Sequence, residues 1–341
     1  DGELGYGNTN TIGDNELPTA NPVNSGIVPL PGGQTATAVT SGSAHTGALL
    51  TNGDAACWGW SGEGELGYGN TNMIGDDELP TANPVNGGVV PLPGGQTAVQ
   101  IDAGATHTCA ILASGAVTCW GFGFAGALGY GNQNDIGDTE TPATNPVNGG
   151  IVALPGGRKA VALALGDTFT CALLDNGTVT CWGLGAAGRL GYGNTDNIGD
   201  NETPAANPVN GGIVALPAGQ KATDIDARGG SVCAVLADGG LTCWGFAGFA
   251  TLGYGNTDNI GDNETPATNP TSSGLVQLPG GQDVLQVAVG VDHACALLAD
   301  RTVSCWGYDN RGQAGYGNLD TIGDNETPAA NAVDAGIVQL P

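Results

Sequence analysis

Apolar and polar residues alternate along this chain in short bursts, each about the length of one strand. Residues 98–104 (AVQIDAG), 106–113 (THTCAILA) and 116–121 (AVTCWG) carry this pattern, and after a long loop of Gly, Asn, Asp, Thr and Pro it returns in residues 151–154 (IVAL). A period of two marks strands with one buried face, and clusters of Gly, Pro, Asn and Asp mark the turns between them. No stretch shows the apolar spacing of an amphipathic helix. The pattern predicts four short strands per unit, the last closed by Pro155-Gly156-Gly157.

The unit repeats. The string GYGN begins at Gly5, Gly67, Gly129, Gly191, Gly253 and Gly315, always 62 residues apart, and 341 residues make five and a half such steps. Self-similarity of this kind means one supersecondary module used over and over. Four-stranded modules predict an all-β fold of β-propeller type. The boundaries fall at 34–95, 96–157, 158–219, 220–281 and 282–341 for five complete blades. Residues 1–33 hold a loop and an orphan outer strand. A closed ring, an open arc and a part of a longer array all agree with that count. The chain opens on Asp1 rather than Met and shows no leader pattern, which reads as a mature or excised segment.

The hairpin inside each unit is legible in detail. Cys109 and Cys119 lie ten apart, which centres a three-residue loop on Ala113-Ser114-Gly115. Such loops want a left-handed residue in third place, which Gly supplies at no steric cost. Thr51-Asn52-Gly53, Asp175-Asn176-Gly177 and Ala237-Asp238-Gly239 obey the rule. The fifth copy reads Ala299-Asp300-Arg301, so strain is expected at Arg301.

The segment HTCAIL, then SGAVTCWG, then GALGYGN resembles the bacterial, extracellular branch of the regulator of chromosome condensation repeat family. The Trp-Gly strand is present five times, at Trp58, Trp120, Trp182, Trp244 and Trp306. The resemblance covers essentially the whole chain and implies a β-propeller, commonly of seven blades. This sequence departs from it in its long loop after GYGN and in having five complete units. The nucleotide-exchange and chromatin roles of the eukaryotic member are not implied, because they depend on loops this sequence lacks.

Four cysteine pairs share one spacing: Cys109/Cys119, Cys171/Cys181, Cys233/Cys243 and Cys295/Cys305. In the hairpin register each pair faces across adjacent strands as a non-hydrogen-bonded pair, close enough for a disulfide. Reduced, buried thiols are the competing reading. Joint recurrence of both members favours disulfides and an oxidising compartment. The first copy has Gly47 in place of a partner, leaving Cys57 as an unpaired thiol, free or bonded to another chain.

The loop after GYGN offers oxygen ligands six times. They are Asn8, Asn10, Asp14 and Glu16; Asn70, Asn72, Asp76 and Glu78; Asn132, Asn134, Asp138 and Glu140; Asn194, Asp196, Asp200 and Glu202; Asn256, Asp258, Asp262 and Glu264; and Asn318, Asp320, Asp324 and Glu326. Short oxygen-bearing side chains alternating around a Gly suit calcium, which takes six to eight oxygens. Turn chemistry explains the same residues, because Asx side chains cap their own backbone. The order is not that of an EF-hand. Six copies of the carboxylate pair also argue against an acid–base catalyst, which is normally unique.

Other candidates sort by whether they repeat. The Trp-Gly tryptophans recur on a central strand and are expected to pack between blades. Tyr6, Tyr68, Tyr130, Tyr192, Tyr254 and Tyr316 are expected to pack loops. Trp60, Phe122, Phe124, Phe246, Phe249 and Tyr308 vary from copy to copy, and together they would make a binding face if exposed. His45, His107 and His293 share one position that Phe169 and Ser231 fill elsewhere, so a structural role is expected.

Composition narrows the function. With 33 acidic and 7 basic residues the net charge is −26, which excludes a nucleic-acid backbone as partner, and no apolar run is long enough for membrane insertion. The leading expectation is a secreted or cell-surface, non-catalytic scaffold of bacterial origin that binds protein and is stabilised by calcium. A second is a homopolymer, a fibre or surface layer joined through edge strands such as residues 27–30. A third is a propeller enzyme acting on polysaccharide, for which the scattered Arg158, Lys159, Arg189, Lys221, Arg228 and Arg311 are the residues that break the repeat.

Overall fold

The computed structural model describes residues 2–14, 17–21 and 23–340. Each copy folds into an antiparallel sheet of three strands in sequence order. The strands are β1 Ala36–Ser41, β2 His45–Leu50 and β3 Ala55–Gly59 in the first copy. The second has β4 Ala98–Ala103, β5 His107–Leu112 and β6 Val117–Gly121. The third has β7 Ala160–Leu165, β8 Phe169–Leu174 and β9 Val179–Gly183. The fourth has β10 Ala222–Arg228, β11 Ser231–Leu236 and β12 Leu241–Gly245, and the fifth β13 Val284–Val289, β14 His293–Leu298 and β15 Val303–Gly307. Among the described residues there is no α-helix, only single 3-10 turns, most of them opened by Pro or closed by Gly.

The chain separates into two compact units. One comprises Asp1–Ala153 with Gly199–Asn201, the other Leu154–Ile198 with Glu202–Pro341.

The fourth strand expected in each blade is much reduced. Residues 151–154 run beside β6 but make one main-chain bond to it, Val152 N–H to Val117 C=O at 2.9 Å. The reason lies in the register. Cys109 pairs with Cys119, whose Cα atoms are 4.1 Å apart, the short spacing of a non-hydrogen-bonded pair. The N–H and C=O of Cys119 therefore face outward, and the Tyr130 hydroxyl takes both: it accepts from the N–H at 3.0 Å and donates toward the C=O at 3.0 Å. The same hydroxyl lies 3.1 Å from the Gly150 carbonyl. A side chain thus completes the ladder that a fourth strand would have formed. Tyr68, Tyr192, Tyr254 and Tyr316 repeat the arrangement on Cys57, Cys181, Cys243 and Cys305.

The hairpin turns follow expectation. Gly53, Gly115, Gly177 and Gly239 have φ of 84°, 84°, 78° and 87°, and Arg301 is held at 72°. Each inner strand also carries a bulge that the pattern does not reveal. The register skips Val99 between Ala98 and Gln100, and Val99 stands 60% exposed. The core lies on the middle and third strands: β5, β6, β8, β9, β11 and β12 are buried along their whole length.

Candidate functional site

The acidic loops are built on main-chain ties. In the copy at 70–78, Ile74 exchanges two hydrogen bonds with Gly59, one at 2.7 and one at 3.2 Å. The Asn70 carboxamide oxygen accepts the Asn72 N–H at 2.9 Å. Asn8, Asn132, Asn194, Asn256 and Asn318 do the same for the residue two places on, at 2.9 to 3.4 Å. The first Asn of the motif is therefore an Asx-turn residue in all six copies.

The carboxylates gather most closely in one copy. Asp76, Asp77 and Glu78 bring three carboxylate oxygens within 4.8 Å of one another. Asn70, Asn72, Asp76 and Glu78 all line a cleft of about 500 Å³ there, with Asn83 at its wall. Asp77 is particular to this copy, since Thr139, Asn201, Asn263 and Asn325 stand at its place elsewhere. Burial, then the neighbouring Asp77 and Asp76, push the Glu78 carboxyl up to about 7. A group held near neutrality by its neighbours' charge is relieved by a cation. At 256–264 the matching cleft of about 360 Å³ is lined by Asp258, Asp262 and Glu264 but not by Asn256. Glu264 and Glu326 are also raised, by burial and then by Asp262 and Asp324 respectively. Elsewhere the loop groups bond locally. Asp138 accepts from the Thr139 N–H at 2.8 Å, Glu140 from the Thr139 hydroxyl at 2.7 Å, and Asp320 from the Asn318 amide at 3.0 Å. Asn10, Asn134, Asp196 and Asp320 lie exposed beside their turns, and Glu16 lies outside the described residues.

The four cysteine pairs are disulfides, with Cα atoms 4.0 to 4.1 Å apart. Cys57 is a free thiol, fully buried opposite Gly47, and burial pushes it up to about 12. Of its two expected fates, bonding to another chain is ruled out by that burial. His45 Nε2 meets the Thr108 hydroxyl at 2.9 Å inside the protein. Burial and the nearby His45 hold His107 down to about 3, so it is neutral at physiological pH. Phe169 and Ser231 fill the same slot, fully buried, in keeping with a packing role. The repeated tryptophans are buried, and Trp58, Trp120, Trp244 and Trp306 each donate to a carbonyl one copy earlier, those of Glu3, Glu65, Arg189 and Thr251.

The aromatic residues that vary between copies do come to the surface. They follow the Trp-Gly strands, where the chain turns back over the β1–β2 type of bend. In the first unit Trp60 is 41% and Phe124 46% exposed, and Phe124 stacks on Phe122 with ring centres 5.7 Å apart. In the second unit Phe249, 38% exposed, meets Phe246 at 5.9 Å and Tyr308 at 5.4 Å. Such clusters carry large apolar area at low side-chain entropy, the usual make-up of a protein contact. Two of the basic residues considered for a catalytic reading are engaged locally. Arg158 is spent on an exposed pair with Asp175 at 3.1 Å, and Arg189 donates to the Ala186 carbonyl at 2.7 Å.

The repeat unit matches models described as regulator of chromosome condensation (RCC1) repeat, over residues 52–111, 98–126, 160–189 and 284–313. Over those residues the chain is similar to regulator of chromosome condensation repeats. Its similarity to the ultraviolet-B receptor UVR8 of Arabidopsis thaliana is 30% identity, over 83% of this chain and 55% of that one. With the human E3 ubiquitin-protein ligase HERC2 it is 29%, over 84% of this chain and 5% of the ligase. The chain thus spans about half the length of the receptor and a small part of the ligase. Among solved structures, human WBSCR16 superposes with a TM-score of 0.65 at 18% identity, covering 90% of this chain and 68% of that one. Prp20p of Saccharomyces cerevisiae, described with its binding properties toward Gsp1p and histones, gives 0.60 at 19%, covering 86% and 63%. At these identities the shared feature is the fold. The two structures place the five sheets among propeller blades.

Proposed function

We propose that this repeat protein is a secreted or cell-surface, non-catalytic scaffold of the bacterial extracellular branch, binding protein partners through the aromatic loops that follow its Trp-Gly strands. The observation that carries the reading is the exposure of Trp60, Phe124 and Phe249 in the loops where successive copies differ most while the strands around them repeat. An internally repeated core needs no variation there, so large apolar side chains kept in water at those positions are explained by a partner that covers them. Four disulfides support an oxidising location. A net charge of −26 favours a basic protein surface over nucleic acid. Calcium is proposed for the cleft at 70–78, where Asp76, Asp77 and Glu78 crowd together. No helix of the described residues is long and apolar enough to cross a membrane.

The test is binding of the immobilised chain to an array of basic and neutral protein ligands, beside a variant with Trp60, Phe124 and Phe249 all changed to Ala. Loss of binding in the folded variant supports the reading. Undiminished binding removes the aromatic loops from it, and release of sugars from polysaccharide by the wild type would replace it with the enzyme reading.

A further inference from the structure

Three carboxylates of the first unit depart from the repeat and meet in space. In the other complete copies, Glu63 is replaced by Ala125, Ala187, Phe249 and Arg311, and Glu65 by Ala127, Arg189, Thr251 and Gln313. Asp135 is replaced by Met73, Asn197, Asn259 and Thr321. No other complete copy has an acid at any of these places. The Glu63 and Asp135 carboxyl groups stand within hydrogen-bonding reach of one another, with Asp138 near them, and burial followed by these two neighbours pushes the Glu63 carboxyl up. The Glu63 N–H donates to Glu65 Oε2 at 2.9 Å. Glu65 is 2% exposed; burial raises it against its own main-chain bonds, and Glu63 and Asp135 add to the rise. Gly64, between the two glutamates, lies directly on the main chain at Asp138.

Aromatic rings that also vary between copies flank these acids. Asp135 accepts the Gly123 N–H at 2.8 Å and Gln133 accepts the Ala125 N–H at 3.2 Å, so the loop of Phe122 and Phe124 rests on the loop of Asp135. Trp60 folds its indole over Gly62, next to Glu63, and a Cβ on Gly62 would lie 2.6 Å from the ring. Every Lys and Arg of the chain stands at residue 158 or later. The first unit, Asp1–Ala153 with Gly199–Asn201, therefore has no Lys or Arg of its own to pair with its carboxylates. The aromatic cluster of the second unit has a different neighbour. A Cβ on Gly230 would lie 2.9 Å from the Phe246 Cβ and 3.1 Å from Arg189 Nε, so a guanidinium stands beside that cluster.

We propose that the aromatic loops of the first unit hold a basic side chain, a Lys or Arg on an extended segment of a partner protein, its charge met by Glu63 and Asp135 and its stem laid against the Trp60 and Phe124 loops. The face of an aromatic ring attracts a cation through its quadrupole. Lys and Arg suit such a surface because their apolar stems cover rings while their heads reach charge. Carboxylates held close to one another gain further when a cation removes their mutual repulsion. An apolar partner would bury these acids unpaired, and an acidic one would be repelled. The proposal rests on the aromatic-loop reading and adds to it the chemistry of the group held there.

Trp60 emission reads the contact directly, because Trp58, Trp120, Trp182, Trp244 and Trp306 are all buried. Titration with a Gly-Ser peptide bearing Arg or Lys should shift that emission and saturate, and the same peptide with Gln in their place should not. By calorimetry, Glu63→Gln combined with Asp135→Asn should weaken binding roughly tenfold and flatten its salt dependence. The fold accommodates the second change, since Asn197 and Asn259 accept the Gly185 and Ala247 N–H at 3.0 Å in the equivalent turns. Phe249→Ala, in the second unit, should leave the affinity unaltered. Equal binding of the Gln peptide, or an unchanged affinity in the Gln/Asn variant, overturns the proposal. So does an emission shift produced by calcium alone or by raised protein concentration alone, which would give the surface to an ion or to a second copy. Protein-array binding that the triple Ala variant loses and the Gln/Asn variant keeps would sink this proposal and spare the aromatic-loop reading.

Discussion

Gly47 sits opposite Cys57 in the first hairpin, and a Cβ on Gly47 would lie 3.6 Å from the Cys57 sulfur. Every other copy has cysteine at this place and a disulfide across the hairpin. Gly47→Cys should therefore close a fifth bridge and stabilise the fold by roughly 2–3 kcal/mol, the chain-entropy figure for so short a loop. Ile101 and Thr40 stand 3.1 Å from the new Cβ and must shift slightly, which sets the gain below the full figure. Alkylation of the denatured, unreduced variant reads the outcome, and a thiol still reactive at Cys57 would show that the bridge had not formed.

Arg301 occupies the left-handed turn position where four copies use glycine, at φ 72°. Its side chain is exposed, so nothing in the packing compensates. Arg301→Gly should raise stability by roughly 1 kcal/mol, the cost of that conformation for a residue with a Cβ. A denaturation midpoint equal to or below wild type would refute this.

The Tyr130 hydroxyl stands in for a strand, serving both main-chain groups of Cys119 and the Gly150 carbonyl. Tyr130→Phe leaves buried polar groups without a partner, at about 1–3 kcal/mol each. The expected loss is roughly 2–3 kcal/mol, with faster amide exchange at Val152 and Cys119 than at the mid-hairpin amides. Uniform exchange across the sheet would mean that the hydroxyl ties nothing in particular.

Two groups give opposite pH dependences. His107 is held at about 3 against an ordinary 6.5, so its contribution is full above 6.5 and is lost as pH falls toward 3. Glu78 is raised to about 7 from 4.5, so its contribution is full below 4.5 and is lost as pH rises through 7. Glu78 is largely open to solvent, which screens its effect well below that of His107. Melting curves should show the acid limb flattened in His107→Phe, a change the neighbouring copy already accommodates as Phe169, and the neutral limb flattened in Glu78→Gln. Unaltered limbs would remove these groups from the account.

Calcium, if it fills the 70–78 cleft, links to folding through the same carboxylates. Adding the ion should raise the melting temperature by several degrees and chelator should reverse it. Asp77→Asn should reduce the shift, because it makes this loop resemble the copies at 194–202 and 256–264. Identical melts with and without the ion would leave the loop as turn scaffolding.

Much of this fold was legible because it repeats. The turn glycines, the cysteine pairing and the buried tryptophans follow from spacings of two, ten and 62 residues. The part that was not legible depends on atoms spacing does not report. The outer strand was overestimated because IVAL has strand composition, while the groups it would pair with are taken by Tyr130. The bulge at Val99 is a backbone event with no residue type of its own. For the acidic loops the residues and the turn-forming use of the leading Asn were legible, but the uneven gathering of carboxylates was not. Each leading Asn spends its oxygen on the chain two residues ahead, and one copy gathers its carboxylates because of Asp77 alone.

The glycine that rests directly on the next copy's main chain, as Gly64 does at Asp138, leaves no side chain to be matched between neighbours. At this contact the seam asks little of side chains, and in the fourth copy Ala250 takes the glycine's place. A gene for such a chain can gain or lose whole modules by unequal recombination and still encode a protein that folds, while the loops after each tryptophan strand are free to drift apart.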